Sequence, residues 1–245
     1  MKEIVPKVSL YRKIKQDKYI DEISDDLNDI LNKYEINTKL RISHFFGQIT
    51  HECDGFCTLE EYASGVAYEN RKDLGNTNPG DGKRYKGRGY IQITGKANYE
   101  LYGRLLGLDL INNPELLLVP KNGLLVSCEY WKQHDLNKYA DDDDITKITK
   151  KINGGYNGLD YRKQYFNKSK TICDILDGTT NAKLSIGSKG YFIEYIQLRL
   201  KEKGYAIYID GDFGGQTESV LKQYQQENGF IINGTIDRTI FKSFF

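Results

Sequence analysis

The chain has 245 residues, of which 28% are charged, yet Lys and Arg number 35 against 34 Asp and Glu, leaving a formal net charge of +1. That balance disfavours a nucleic-acid binder, whose phosphate contacts need a basic excess or a basic domain. A hydrophobic share of 39%, with 19 Tyr and 10 Phe, is too apolar for disorder, and at about 150 residues per domain the length fits one medium domain with a small partner.

Residues 1–20 carry Lys2, Lys7, Arg12, Lys13, Lys15 and Lys18 without an apolar run suited to an export signal. No later stretch approaches the roughly 20 apolar residues of a membrane helix, so stable membrane insertion is not expected. The first expected helix covers Asp17–Tyr34, where Ile20, Ile23, Leu27, Ile30 and Leu31 recur at three- and four-residue spacing. Asn37 or Thr38 then caps a second helix through Leu40, Ile42, Phe45, Phe46 and Ile49 to about Glu52. From Cys53 to Gly89 the chain loses both helical and strand periodicity, and so long an irregular segment inside a domain is usually functional. Helical patterns resume at Asn98–Leu106, Lys121–Gln133 and Ile145–Ile152. The acidic run Asp141–Asp144 reads as the start of the last of these, at the positive end of its dipole, and not as a calcium site. Residues 174–183 are polar and aperiodic and read as a linker. Beyond it come a helix through Ile193, Ile196, Leu198 and Leu200, a Gly-rich turn region, and a helix through Val220, Leu221 and Tyr224.

The expected division is a domain over 1–175, a linker over 176–183 and a small domain over 184–245. Seven basic and seven acidic residues fall in the last, leaving 28 and 27 elsewhere, so neither part hides a basic domain. Binding through either should depend only modestly on salt.

The four cysteines, Cys53, Cys57, Cys128 and Cys173, show no paired C-x-x-C spacing and read as free thiols. His51, Cys53 and Cys57 lack a fourth zinc ligand, and His51-Glu52 is not a metalloprotease motif because Gly55 stands where the second His belongs. No metal or cofactor is expected. What remains is Glu52 at the end of an apolar helix, followed by Glu60 and Glu61. A carboxyl among apolar groups tends to stay protonated and can act as an acid, and a second, ionised carboxylate can activate water. Together they are the minimal equipment of a glycosidase. Nine residues on one helix would put Glu52 and Glu61 on opposite faces at about 100° per residue, so they can share a cleft only if the helix ends between them. Asp54-Gly55 is the expected breaker.

His51-Glu52, Gly55-Phe56, Glu61, the stretch from Tyr68 to Tyr85, the block from Gly87 to Tyr99, and Ile152-Asn153-Gly154-Gly155 resemble the family 19 glycoside hydrolases. More narrowly, they are similar to the chitinase-like catalytic domains of bacteriophage endolysins, over about residues 40–172. The resemblance implies a mainly α, lysozyme-like helical catalytic domain. It places the general acid of an inverting mechanism on Glu52 and the base on Glu61, with Glu60 as competitor for the base. It further implies that Thr94 helps hold the attacking water and that Tyr85, Gln92, Asn98, Asn153 and Arg162 line the sugar cleft. Two of these have a plainer reading: Asn153 as part of a turn, and Arg162 as the partner that positions a carboxylate. Where many relatives have Ser-Gly after His-Glu, this chain has Cys53-Asp54, and Asn157 stands where plant members often have Glu.

The segment from Leu184 onward resembles the type 1 peptidoglycan-binding domain, a three-helix module. The resemblance rests on Ile186, Gly190, Ile196-Gln197, Leu200, Gly204-Tyr205, Asp210-Gly211-Asp212-Phe213-Gly214, Thr217, Tyr224-Gln225 and Gly229. The Asp210-Gly211-Asp212 turn lacks the Glu of a calcium loop, since Leu221 holds the twelfth position. A wall-contacting groove is expected around Tyr205, Asp212, Phe213 and Gln216. Together the resemblances imply a monomeric endolysin acting on peptidoglycan glycan strands, made in the host cytoplasm and reaching the wall after the membrane is permeabilised. Its alternatives are a chitinase or a non-catalytic wall-binding protein.

Overall fold

The structure, a computed structural model, describes residues 1, 5, 8–177 and 183–244. Residues 178–182, most of the expected linker, lie outside it. The chain divides into two compact units, residues 1–167 and 168–245. The fold is mainly helical, as expected, and no strand occurs among the described residues beyond isolated bridges.

The single helix expected over Asp17–Tyr34 is two: α1 (Leu10–Ser24) and α2 (Leu27–Lys33). The break falls at Asp25-Asp26, residues of poor helix propensity, just after Ser24 has turned its hydroxyl back onto the Ile20 carbonyl (2.8 Å). Ile20, Ile23, Ile30 and Leu31 are nevertheless all buried. Helix α3 (Lys39–Glu52) is capped by Thr38, whose hydroxyl accepts from the Arg41 amide. Every residue from Ser43 to Thr50 is buried, so α3 is covered on all sides. Phe45 meets Phe46 and Trp131 edge-on, with centroids 5.7 and 5.3 Å away.

Helix α3 stops where the sequence expects it to. Asp54 (φ 51°) and Gly55 (φ 67°) take left-handed conformations, and the Gly55 amide closes on the Thr50 carbonyl at 2.7 Å. The chain then runs through turns, short 3₁₀ segments and α4 (Asp81–Arg84). Bridges Glu60–Arg88 and Arg88–Ile93 lay residues 58–61 beside residues 87–94. Helices α5 (Lys96–Leu106), α6 (Pro120–Gln133), α7 (Leu136–Asp141), α8 (Ile145–Asn153) and α9 (Leu159–Asp177) follow. Asp144 caps α8 through the Lys147 amide (2.9 Å), while Asp141 is gripped by both ends of the Arg41 guanidinium, so the acidic run is consumed locally. The sequence reading missed α4, α7 and α9.

The second unit holds α10 (Tyr191–Glu202), α11 (Gly215–Glu227) and α12 (Arg238–Lys242), the expected three helices, around Ile196, Leu200, Phe213, Leu221, Tyr224 and Phe241. The expected wall groove needs correction at one position: Phe213 is fully buried because its ring fills this core. Asp212 pairs with Lys189 (2.7 Å), and the Tyr205 hydroxyl donates to Glu227. Among the described residues beyond the linker, the large apolar side chains left outside are Ile186, Tyr208, Ile231 and Ile232.

Candidate active site

The end of α3 sets one wall of an open cleft of about 400 Å³, lined by Thr50, His51, Glu52, Asp54, Glu61, Tyr62, Gln92, Tyr161 and Tyr165 among others. Glu52 and Glu61 therefore do face one space, because the left-handed pair Asp54-Gly55 reverses the chain between them.

The two carboxylates are held differently. Glu52 is the last residue of α3, and its Oε1 accepts from Arg162 Nη2 at 2.6 Å. Arg162 is fully buried and also donates to Gln48 Oε1 (2.7 Å) and the Asn157 carbonyl (3.1 Å), so its fork is fixed from three sides. The apolar surround expected for Glu52 is thus replaced, at one oxygen, by a guanidinium. Arg162 lies behind the carboxyl and does not line the cleft, in keeping with the plainer of its two readings. Glu61 leaves Thr58 and Glu60 on an extended stretch, its amide bonded to the Gly87 carbonyl (3.0 Å). Its Oε2 accepts from the Tyr68 hydroxyl (2.9 Å), whereas its Oε1 is buried with no hydrogen-bond partner within the protein. Alternation along an extended chain turns Glu60 the other way. Its Oε1 lies 3.0 Å from Arg88 Nε and 3.3 Å from Lys86 Nζ, and it does not line the cleft.

Gly87 shows how closely the polar groups converge. A Cβ built there would lie 3.0 Å from Gln92 Oε1 and 3.3 Å from both Glu61 Oε2 and Thr94 Oγ1. The glycine keeps open the space these three share. Gln92 itself is left-handed (φ 57°), anchored through Nε2 to the Gly89 carbonyl (2.9 Å), and Thr94 Oγ1 donates to the Gln92 carbonyl (3.0 Å). Asn98, half-buried, supports this loop by donating to the Thr94 carbonyl (2.8 Å). Thr50 Oγ1 is a second buried atom on the cleft without a partner in the protein. Such atoms in a native site are usually met by water or ligand.

Beside Arg162 and Asn98, which support the cleft without lining it, two further expected cleft residues are placed elsewhere. Tyr85 is only 3% exposed, packed at a tilt against Tyr99 in the core with its hydroxyl on the Ile111 carbonyl (3.1 Å), so it offers no open ring face to a sugar. Asn153 is exposed as the last residue of α8, before the left-handed cap Gly154, and does not line the cleft. The rings that do line it, Tyr62, Tyr161 and Tyr165, were missed, although the abundance of Tyr hinted at them. His51 stacks on Tyr161 at 6.2 Å, and burial pushes its pKa down. Gly158 packs on that imidazole so tightly that a Cβ would fall 2.1 Å from His51 Nε2. Asp54 accepts from Tyr62 Oη (2.8 Å) and pairs with Arg12 of α1. Among the described residues, no group of His, Cys, Asp and Glu could hold a metal ion.

Paired carboxylates in a polar, aromatic-lined cleft are the equipment that glycoside hydrolysis needs, and comparison with known proteins points the same way. Residues 32–146 match the family model for class I chitinases of glycoside hydrolase family 19, and residues 189–243 match that of a peptidoglycan binding domain. A family 19 domain-containing protein of Haemophilus influenzae is 41% identical over 39% of this chain and 46% of its own length. An acidic endochitinase of Petunia hybrida is 35% identical over 44% and 41%. The chain thus spans less than half the length of these curated relatives. Chitinase C of Streptomyces griseus shares the fold with a TM-score of 0.51 and 21% identity, over 64% of this chain and 75% of that one. The chain carries a chitinase-like family 19 glycoside hydrolase domain followed by a peptidoglycan-binding domain.

Proposed function

We propose that the protein hydrolyses β-1,4 glycosidic bonds of peptidoglycan glycan strands by an inverting acid/base mechanism, as an endolysin does. The observation that carries this reading is the shared cleft of Glu52 and Glu61 together with the space kept open by Gly87. Glu52, oriented by Arg162, gives its proton to the leaving glycosidic oxygen as the C1–O bond breaks. Glu61 takes a proton from a water that Thr94 Oγ1 helps to hold, and that water's oxygen forms the new bond to C1 from the opposite face. The proton gained by Glu61 then returns to solvent, and Glu52 is reprotonated for the next turnover. Gln92 and Thr50 offer donors and acceptors for sugar hydroxyls and N-acetyl groups.

The peptidoglycan-binding module favours wall glycan over chitin, since a tethered weak contact raises effective concentration at an insoluble polymer. Synthesis in the cytoplasm with release to the wall through a membrane lesion fits this role. The deciding test measures reducing ends released from purified peptidoglycan and from chitin. Glu52→Gln keeps an oxygen for Arg162 but has no proton to give, so it should lower kcat by at least about 100-fold, the usual scale of a general acid. Undiminished release by folded Glu52→Gln sinks the acid assignment, and release from chitin alone sinks the substrate.

A further inference from the structure

Tyr62 directly follows the proposed base, lines the cleft, and is 77% exposed. So large an exposed ring at a cleft marks a contact surface when something holds it in place. Here two residues do. Tyr62 Oη donates to Asp54 Oδ2 (2.8 Å), and Asp54 is itself paired with the Arg12 guanidinium, which also approaches the Asp54 carbonyl (3.4 Å). The phenol is therefore tethered at its polar end while its ring faces remain open. Partial desolvation and the neighbouring Asp54 push the Tyr62 pKa up to about 12, so its hydroxyl stays a donor near neutral pH. A ring already fixed in place gives up little conformational freedom on binding, which is why such rings serve as platforms. The apolar face of a pyranose is the complementary surface. The tether also joins the segment bearing Glu61 to the turn that follows Glu52, so the platform is set relative to both carboxyls.

We propose that Tyr62 is a sugar-stacking residue of the cleft and that Asp54 and Arg12 are positioning residues that hold its ring, the trio setting affinity for an N-acetylhexosamine unit rather than turnover. This rests on the cleft being a glycan site, as read above.

The test uses the full chain with solubilised glycan strands stripped of stem peptides. Tyr62→Ala should raise KM about tenfold and leave kcat within about twofold, while Tyr62→Trp restores KM. Tyr62→Phe and Asp54→Ala should each raise KM two- to threefold, and the double variant no further, because both cut one tether. An unchanged KM in a Tyr62→Ala protein that melts like the parent overturns the proposal. So does a loss confined to kcat, which would make the tether a brace between acid and base. Calorimetric titration of the strands into Glu52→Gln, with and without Tyr62→Ala, separates this from the catalytic reading. If Glu52→Gln still hydrolyses glycan but Tyr62→Ala weakens binding, the platform stands and the acid assignment falls.

Discussion

In the second unit, Gln197 and Gln225 solve one packing problem twice. Gln197 Oε1 accepts from the Asp210 and Gly211 amides (3.0 and 2.9 Å) while its Nε2 donates to Asp210 Oδ1 and the Asp212 carbonyl. Gln225 repeats this with Asn233, Gly234 and Thr235, at 3.1 and 2.9 Å for the two amides. Each buried amide is saturated and locks a turn. At the cleft of the first unit, by contrast, Thr50 Oγ1 and Glu61 Oε1 are buried without partners, and non-glycine residues Asp54 and Gln92 take left-handed backbone. Among the described residues, every non-glycine residue with positive φ lies in the first unit. Strain and unmet polar groups cost stability and persist where the surroundings over-determine them, so the meeting of two unpartnered oxygens with two left-handed residues in one cleft is a pointer to chemistry. The saturated turns of the second unit point to a rigid module whose polar interior serves the fold.

The largest effect that could break this contrast lies between two adjacent residues. Glu61→Gln should lower kcat by about 10²- to 10⁴-fold, the range for a lost general base. Glu60→Gln should leave kcat within about threefold, because that carboxylate faces Arg88 and Lys86. Rates of reducing-end release from folded variants decide it, and equal losses at both positions would remove the distinction drawn from their partners.

Next in size is the stability contrast. Gln225→Ala strips partners from two backbone amides and should destabilise the second unit by about 2 kcal/mol, given about 1–3 kcal/mol for each buried group left unsatisfied. Hydrolysis of soluble strands should be unaffected. Thr50→Val removes a hydroxyl that has no partner in the protein, so it should change stability by less than about 1 kcal/mol yet lower kcat/KM. Thermal unfolding and soluble-strand kinetics on the two variants check both halves, and a Thr50→Val protein with lower stability and full activity would invert the argument.

Much of this was legible in the sequence because apolar spacing and breaker residues agreed. The limits of α3, its Thr38 cap, its stop at Asp54-Gly55 and the helices α5, α6, α8, α10 and α11 follow from periodicity and capping chemistry. Helix α9 was hidden because two of its buried positions, Arg162 and Ser169, are polar, which interrupts the spacing set by Phe166, Ile172 and Ile175. The same buried Arg162 explains why residue type alone could not separate a cleft lining from the support behind Glu52. Tyr85 misled for the converse reason: a hydroxyl satisfied by a backbone carbonyl lets a Tyr serve as core. Arg12 gave no signal at all, since its partner Asp54 lies 42 residues away.

The smallest expected effect concerns His51, and it sharpens the contrast by titration. Burial lowers its pKa, the Arg162 charge acts in the same direction, and Glu52 and Asp54 oppose both. The unfolded chain, with an ordinary value of about 6.5, therefore binds a proton at pH values where the folded chain does not. Stability should be level above about pH 6.5, fall as pH drops from there toward the depressed folded value, and level off again below it. His51→Gln should remove that decline. Melting temperatures of the two proteins between pH 7.5 and 5 provide the comparison. A parallel decline in both would mean that groups other than the half-buried His51 imidazole set the acid limb of stability.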